Sequence, residues 1–174
     1  MKILVAFGTA EGQTRKIAEA VAARVFELGH DAKLFDTAQS PVNLLIDSYD
    51  KIVVAASVHQ QRHQESIEIF VTAKLTELQE RPTLFLSVSL SAAFSEGMAE
   101  AQSYIDEFLT STGWKPTQSL PVAGALRYAE YDYFKEQIIE YVVLKGRKVE
   151  GPGGDHEFTD WTSLARVIDD FVRS

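Results

Sequence analysis

The sequence predicts an α/β fold, a doubly wound five-stranded parallel sheet of order 2-1-3-4-5 with an insertion after the fifth strand. Three observations predict it. Short apolar runs alternate with segments of helical periodicity, as expected of strands covered on both faces by helices. The first apolar run passes directly into a loop of small and hydroxyl residues that opens a helix. The stretch 125–158, between the fifth strand and the last helix, far exceeds the ~2–6 residues of an ordinary connection. The length of 174 residues suits one domain, 1–174, with 125–158 as its insertion.

The elements follow in order. Ile3 to Phe7 is a continuous apolar run and reads as the first strand. Gln13 to Leu28 places Ile17, Ala20, Val21, Ala23, Val25 and Leu28 at helical spacing, with Gly29 as the stop. Ala32 to Phe35 and Ile52 to Ala56 are the second and third strands. Ser66 to Leu78 reads as one helix through Ile67, Phe70, Val71, Leu75 and Leu78. Thr83 to Val88 is the fourth strand, and Ala99 to Leu109 a helix stopped at Gly113. Leu120 to Ala123 is the fifth strand, and a last helix starts at the capping pair Thr159-Asp160 and ends at Val172. Right-handed crossovers then put a ligand crevice at the carboxyl ends of the first and third strands, where the strand order reverses. The loops after Phe7, Ala56, Val88 and Ala123 border it.

Composition narrows the function. The chain has no cysteine, which excludes disulfides, thiolate metal sites, iron–sulfur clusters and cysteine nucleophiles. Its net charge of −8 argues against general nucleic-acid binding and against an anionic membrane surface. No apolar run approaches the roughly 18 residues of a membrane span, and the N-terminus lacks the form of a signal peptide. A cytoplasmic protein is expected, with a peripheral contact on the inner face of the cell membrane left open.

Four loops carry the candidate chemistry. Gly8-Thr-Ala-Glu-Gly-Gln-Thr14 is a phosphate trap: backbone N–H groups at a helix start, the positive end of the helix dipole, and the hydroxyls of Thr9 and Thr14. It lacks the lysine of an ATPase loop and the Gly-x-Gly-x-x-Gly of a dinucleotide fingerprint, so a monophosphate would be held by neutral dipoles. The alternative is an ordinary polar strand–helix turn. Ala56-Ser-Val-His-Gln-Gln-Arg-His63 offers Ser57 as a contact for a ring or sugar chain, and His59 either beside the ligand or as a solvated loop histidine. His59 and His63, four apart, would share a helix face, but two histidines make a poor zinc site, so no metal is expected. Ser87-Val-Ser-Leu-Ser-Ala-Ala-Phe94 offers Ser89 and Ser91 and lets backbone approach a flat ligand. Arg127 follows the fifth strand, either as a fork for a substrate carboxylate or as a structural arginine paired with Asp or Glu. The insertion carries Tyr128, Tyr131, Tyr133, Phe134 and Tyr141, and is either a surface excursion or a lid or docking element.

Taken together these loops resemble a flavodoxin-like FMN-binding domain, with Thr9-Ala-Glu-Gly12-Gln-Thr14 matching its Ser/Thr-x-x-Gly-x-Thr first loop. Gly12-Gln-Thr14, Ala56-Ser-Val-His59, Ser87-Val-Ser-Leu90, Gly124-Ala-Leu-Arg-Tyr128 and Thr159-Asp-Trp161 further resemble the menaquinone-dependent protoporphyrinogen IX dehydrogenase family. The resemblance implies that Thr9, Ala10, Glu11, Gly12, Gln13 and Thr14 bind the FMN phosphate. It implies that Ser57, Val58 and His59 line the ribityl chain and ring, and that Ser89, Leu90, Ser91 and Ala92 close the other side. The flavin would carry electrons from a porphyrinogen-like substrate to a quinone, with His59 and Arg127 as candidate catalytic residues. The other reading is a flavodoxin-type electron carrier that serves a redox protein partner.

Two departures stand out. The family's insertion is basic and apolar, whereas 129–151 sets Glu130, Asp132, Glu136, Glu140 and Glu150 against Lys135, Lys145, Arg147 and Lys148. Gln61 also stands where many relatives have glycine.

Overall fold

A computed structural model describes residues 1–39, 43–126 and 156–174. Strand β1, Lys2–Gly8, leads into α1, Gln13–Glu27, and β2, Asp31–Asp36. A 3-10 turn, Ile46–Ser48, precedes β3, Lys51–His59, which folds back through β4, Arg62–His63. Helices α2, Glu65–Ala73, and α3, Leu75–Gln79, carry the chain to β5, Thr83–Ser89. Two 3-10 turns, Ser91–Ala93 and Ser95–Gly97, open α4, Met98–Thr112. Then come β6, Gln118–Ala123, the short strands β7, Ala125–Leu126, and β8, His156–Glu157, and the last helix α5, Trp161–Arg173.

The main sheet runs β2-β1-β3-β5-β6, every neighbouring pair parallel. Counted along its five parallel strands, this is the expected order 2-1-3-4-5. Alternate side chains point to opposite faces, and each face meets its own helices. Ile3, Val5, Phe7, Val53, Ala55, Leu84 and Leu86 pack with Ile17, Val21 and Val25 of α1 and Leu164, Ile168 and Phe171 of α5. Leu4, Ala6, Ile52, Val54 and Phe85 pack on the other face with Ile67, Phe70, Leu78, Ile105, Phe108 and Trp114. Strands buried on both faces need no polar alternation, which is why they read as unbroken apolar runs.

The helix signals act as expected at three ends. Gly29 and Gly113 take left-handed φ of 82° and 70° past α1 and α4. Asp160 caps α5 by accepting from the Ser163 N–H at 2.9 Å. Lys51 and Arg24 help bind α5 to the rest. Lys51 Nζ donates to the Phe171 carbonyl at 2.7 Å, satisfying a helix-end acceptor. The Arg24 fork donates to both carboxylate oxygens of Asp169, at 2.6 and 2.7 Å, joining α1 to α5.

Two expectations are corrected. Ser66 to Leu78 is not one helix: at Lys74 the backbone turns to φ −116°, ψ 20°, and α2 ends there. His59 and His63 share no helix face. They lie on the two arms of a hairpin in which Val58 pairs with His63 and His59 with Arg62. Gln60 and Gln61 make the turn with φ of 51° and 64°, the doubly positive pattern of a tight hairpin turn. Glycine adopts such angles without strain, so the departure at Gln61 falls where the backbone favours glycine.

Candidate functional site

The carboxyl ends of β1, β3, β5 and β6 meet around a cavity of about 70 Å³. Thr9, Ala10, Glu11, Gln13 and Thr14 line it from the first loop and α1. Ser57, Val58 and His59 line it from the end of β3, and Val88, Ser89 and Leu90 from the end of β5. Ten of the expected cofactor residues thus converge there. Gly12, Ser91 and Ala92 stand just outside this lining. Gly12 takes φ 91° at the start of α1, where a side chain would be strained, and its N–H donates to Thr9 Oγ1 at 2.9 Å. Ser91 Oγ turns toward α4 and donates to Glu100 Oε2 at 2.7 Å. The Ala92 N–H donates to Ser89 Oγ at 3.3 Å and shapes that wall from behind. Arg127 lies outside the described residues, as do Tyr128, Tyr131, Tyr133, Phe134 and Tyr141.

Val88, Gly124 and Ala125 complete the lining and were not among the expected residues. The signal for them was present, since the loops after Val88 and Ala123 were expected to border the crevice. Gly124 is packed tightly enough that a Cβ would sit 3.3 Å from Val88 Cγ1. Behind the cavity a relay ties the first loop to the neck of the insertion. Gln13 Nε2 donates to Thr159 Oγ1 at 3.0 Å, and Thr159 Oγ1 donates to the Ala123 carbonyl at 2.7 Å. The insertion's neck is closed by β7 and β8, where Ala125 pairs with Glu157 and Leu126 with His156. Glu157 also bonds Lys16 of α1 and accepts from Trp161 Nε1 at 2.7 Å. The Lys16 bond, aided by Trp161 and Gln13, holds the Glu157 carboxyl below the usual range despite partial burial.

The site can be tested for an uncharged phosphate cradle. Thr14 is 1% exposed, and its Oγ1 is buried with no hydrogen-bond partner. Leaving such a hydroxyl unpaired is costly, so its presence at a cavity wall points to a ligand that completes it. The first turn of α1 carries no acidic residue to cancel the helix dipole. Among the described residues, the other orphaned side-chain atom is Trp114 Nε1, in the core against Phe85 and away from this lining. The residues therefore fit a phosphate. Glu11 Oε1 stands 3.8 Å from His59 Nδ1, linking the first and second loops across the mouth.

Beyond the hairpin lies a larger open groove of about 840 Å³, lined by Arg62, His63, Tyr104 and Phe108 with Glu65, Glu68, Asp106 and Glu107. His63 is held there between two aromatic rings, and burial pushes its imidazole down to about 4.

Comparison with known proteins agrees with this architecture. The flavodoxin domain family matches residues 4–150. The protoporphyrinogen IX dehydrogenase [quinone] of Escherichia coli K12 is 30% identical over 166 residues, covering 95% of this chain and 91% of the relative. The protein of the same name from Leishmania major is 27% identical over 177 residues, covering 98% and 74%. Oxidised flavodoxin 1 from Bacillus cereus superposes with a TM-score of 0.60 at 15% identity, covering 99% of this chain and 98% of that one, which shows the shared fold.

Proposed function

Because the chain belongs to the flavodoxin domain family, we propose that it is an FMN-dependent oxidoreductase of the protoporphyrinogen IX dehydrogenase type. It takes electrons from a porphyrinogen-like substrate and delivers them to a quinone. The observation that carries the reading is the cradle built around the orphaned hydroxyl of Thr14. A cavity lined by hydroxyls at a helix start suits a single phosphate and disfavours ligands that need a cation.

FMN, when bound, supplies the redox chemistry itself. The chain's own residues anchor and orient it. Thr9, Ala10, Glu11, Gln13 and Thr14 would hold the phosphate end through backbone N–H groups and hydroxyls, with Gly12 setting the turn of the loop. Ser57, Val58 and His59 on one side, and Ser89 and Leu90 on the other, would hold the ribityl chain and ring, with Ala92 bracing Ser89 from behind. Ser57 Oγ accepts from Gln64 Nε2 at 3.2 Å, which fixes the hydroxyl before a ligand arrives. His59 lines the cavity with Glu11 beside it and is proposed to exchange a proton with a substrate. Arg127 is proposed to receive a substrate carboxylate.

A second reading, an electron carrier for a redox protein, is favoured by one feature. The open groove sets Glu65, Glu68, Asp106 and Glu107 against Arg62, a charge balance that suits a basic partner surface better than a porphyrinogen's carboxylates. Anaerobic mixing of the FMN-loaded protein with protoporphyrinogen IX and a menaquinone analogue separates the two. The enzyme reading expects porphyrin fluorescence to rise above the uncatalysed rate. Fluorescence at the uncatalysed rate, with reduction by a flavodoxin reductase intact, favours the carrier. Among the described residues no helix is long and apolar enough to cross a membrane.

A further inference from the structure

The cofactor cavity has one wall that the main sheet does not hold. β3 pairs with β1 and β5 only as far as Ala56 and Ser57. Val58 and His59, which line the cavity, continue past the last of these pairs and are braced by β4 through the Val58–His63 and His59–Arg62 pairs. The turn between them is Gln60-Gln61, both at left-handed φ, so nothing in the turn residues pre-sets this shape. A two-residue strand joined by such a turn is marginal by itself. Its pose must come from side-chain anchoring.

His63 provides that anchor. Its ring packs on Phe85 at 5.3 Å and on Phe108 at 4.9 Å, bridging β5 and α4. Its Nε2 lies 2.8 Å from the hydroxyl of Ser87, which is fully buried in β5. The next residue, Gln64, reaches back to Ser57 in the cavity wall. We propose that His63 is a positioning residue for the flavin: clamped by Phe85, Phe108 and Ser87, it sets the pose of the hairpin whose other arm, Val58 and His59, forms the ring-side wall. This rests on the FMN reading above and assigns a side to the effect. His63 stands on the ring side and touches none of the phosphate loop, so its loss weakens the grip on the flavin ring and leaves the grip on the phosphate unchanged.

The test compares riboflavin with FMN, which differ by the phosphate. Dissociation constants of both are measured by flavin fluorescence quenching for the wild type, His63→Ala, His63→Gln and Ser87→Ala, with visible circular dichroism of the bound flavin. His63→Ala is expected to weaken both flavins by the same factor, about tenfold for one lost buried contact, and to alter the visible dichroism. His63→Gln, which restores a hydrogen-bonding group near Ser87, is expected to recover most of the affinity. Ser87→Ala removes the bond from the other partner and moves both flavins the same way, which keeps the test open should His63→Ala fail to fold. The proposal is overturned if the variants melt at lower temperature yet bind both flavins as the wild type does with the same dichroism. It is also overturned if FMN alone is weakened. A wild type that binds neither flavin overturns the FMN reading itself, a result distinct from either of these.

Discussion

Thr14 Oγ1 is buried without a hydrogen-bond partner. A buried hydroxyl without a partner lowers the stability of the empty protein by about 1–3 kcal/mol, and a ligand oxygen would recover that cost. Thr14→Val keeps the shape and removes the hydroxyl. The expected outcome is therefore a split: unchanged or slightly higher stability without cofactor, and FMN binding weaker by about ten- to a hundredfold. Thermal melting and a flavin titration check the two halves. His63 gives a second residue-scale prediction. Its imidazole is displaced from 6.5 to about 4 by burial, so the folded chain resists a proton that the unfolded chain accepts. Stability is then fully present above about pH 6.5 and falls as the pH drops toward 4, by at most on the order of 3 kcal/mol. Urea unfolding across that range should show the loss in the wild type and a smaller loss in His63→Gln.

At the scale of elements, Gly8 shows how the cradle is placed. It ends β1, and a Cβ there would stand 2.6 Å from Ile67 Cγ1 of α2 and 3.2 Å from Thr37 Oγ1. Gly8→Ala must push α2 away from the start of the first loop, with an expected cost of about 1–3 kcal/mol in denaturant unfolding. The five parallel strands, α1, α4 and α5 were legible because each has a strong local signal: apolar runs, helical spacing, Gly29 and Gly113 past helix ends, and Asp160 at a helix start. The β3–β4 hairpin was not legible, because Gln60-Gln61 lacks the Asn-Gly or Asp-Gly chemistry of a tight turn. The break at Lys74 was hidden too, since Ile67, Phe70, Val71, Leu75 and Leu78 keep helical spacing with no proline or glycine between them. Most of the cavity lining was visible because doubly wound sheets place ligands at strand ends. The Gln13–Thr159 contact was not, because it joins residues 146 apart that meet only when α5 docks.

Over the whole molecule, a negative net charge goes with a cradle that has no lysine or arginine in its lining. The chain carries −8, yet the cradle at the end of β1 is built from dipoles rather than lysine or arginine. An anion held by hydroxyls and backbone N–H groups in a partly closed cavity is screened less by salt than one held by exposed cations. Flavin affinity should therefore vary little with ionic strength, whereas a protein partner drawn to the acidic groove around Glu65, Glu68, Asp106 and Glu107 should associate more slowly as salt rises. Stopped-flow reduction by a partner, set beside the equilibrium binding of FMN at the same salt concentrations, reads both.

The measurement that bears most directly on the central claim is a calorimetric titration of cofactor-free protein with FMN and, separately, with riboflavin. A one-to-one complex with FMN is expected, bound more tightly than riboflavin by about tenfold or more, with the advantage lost in Thr14→Val. Equal affinity for the two flavins, or no heat with FMN, would contradict it.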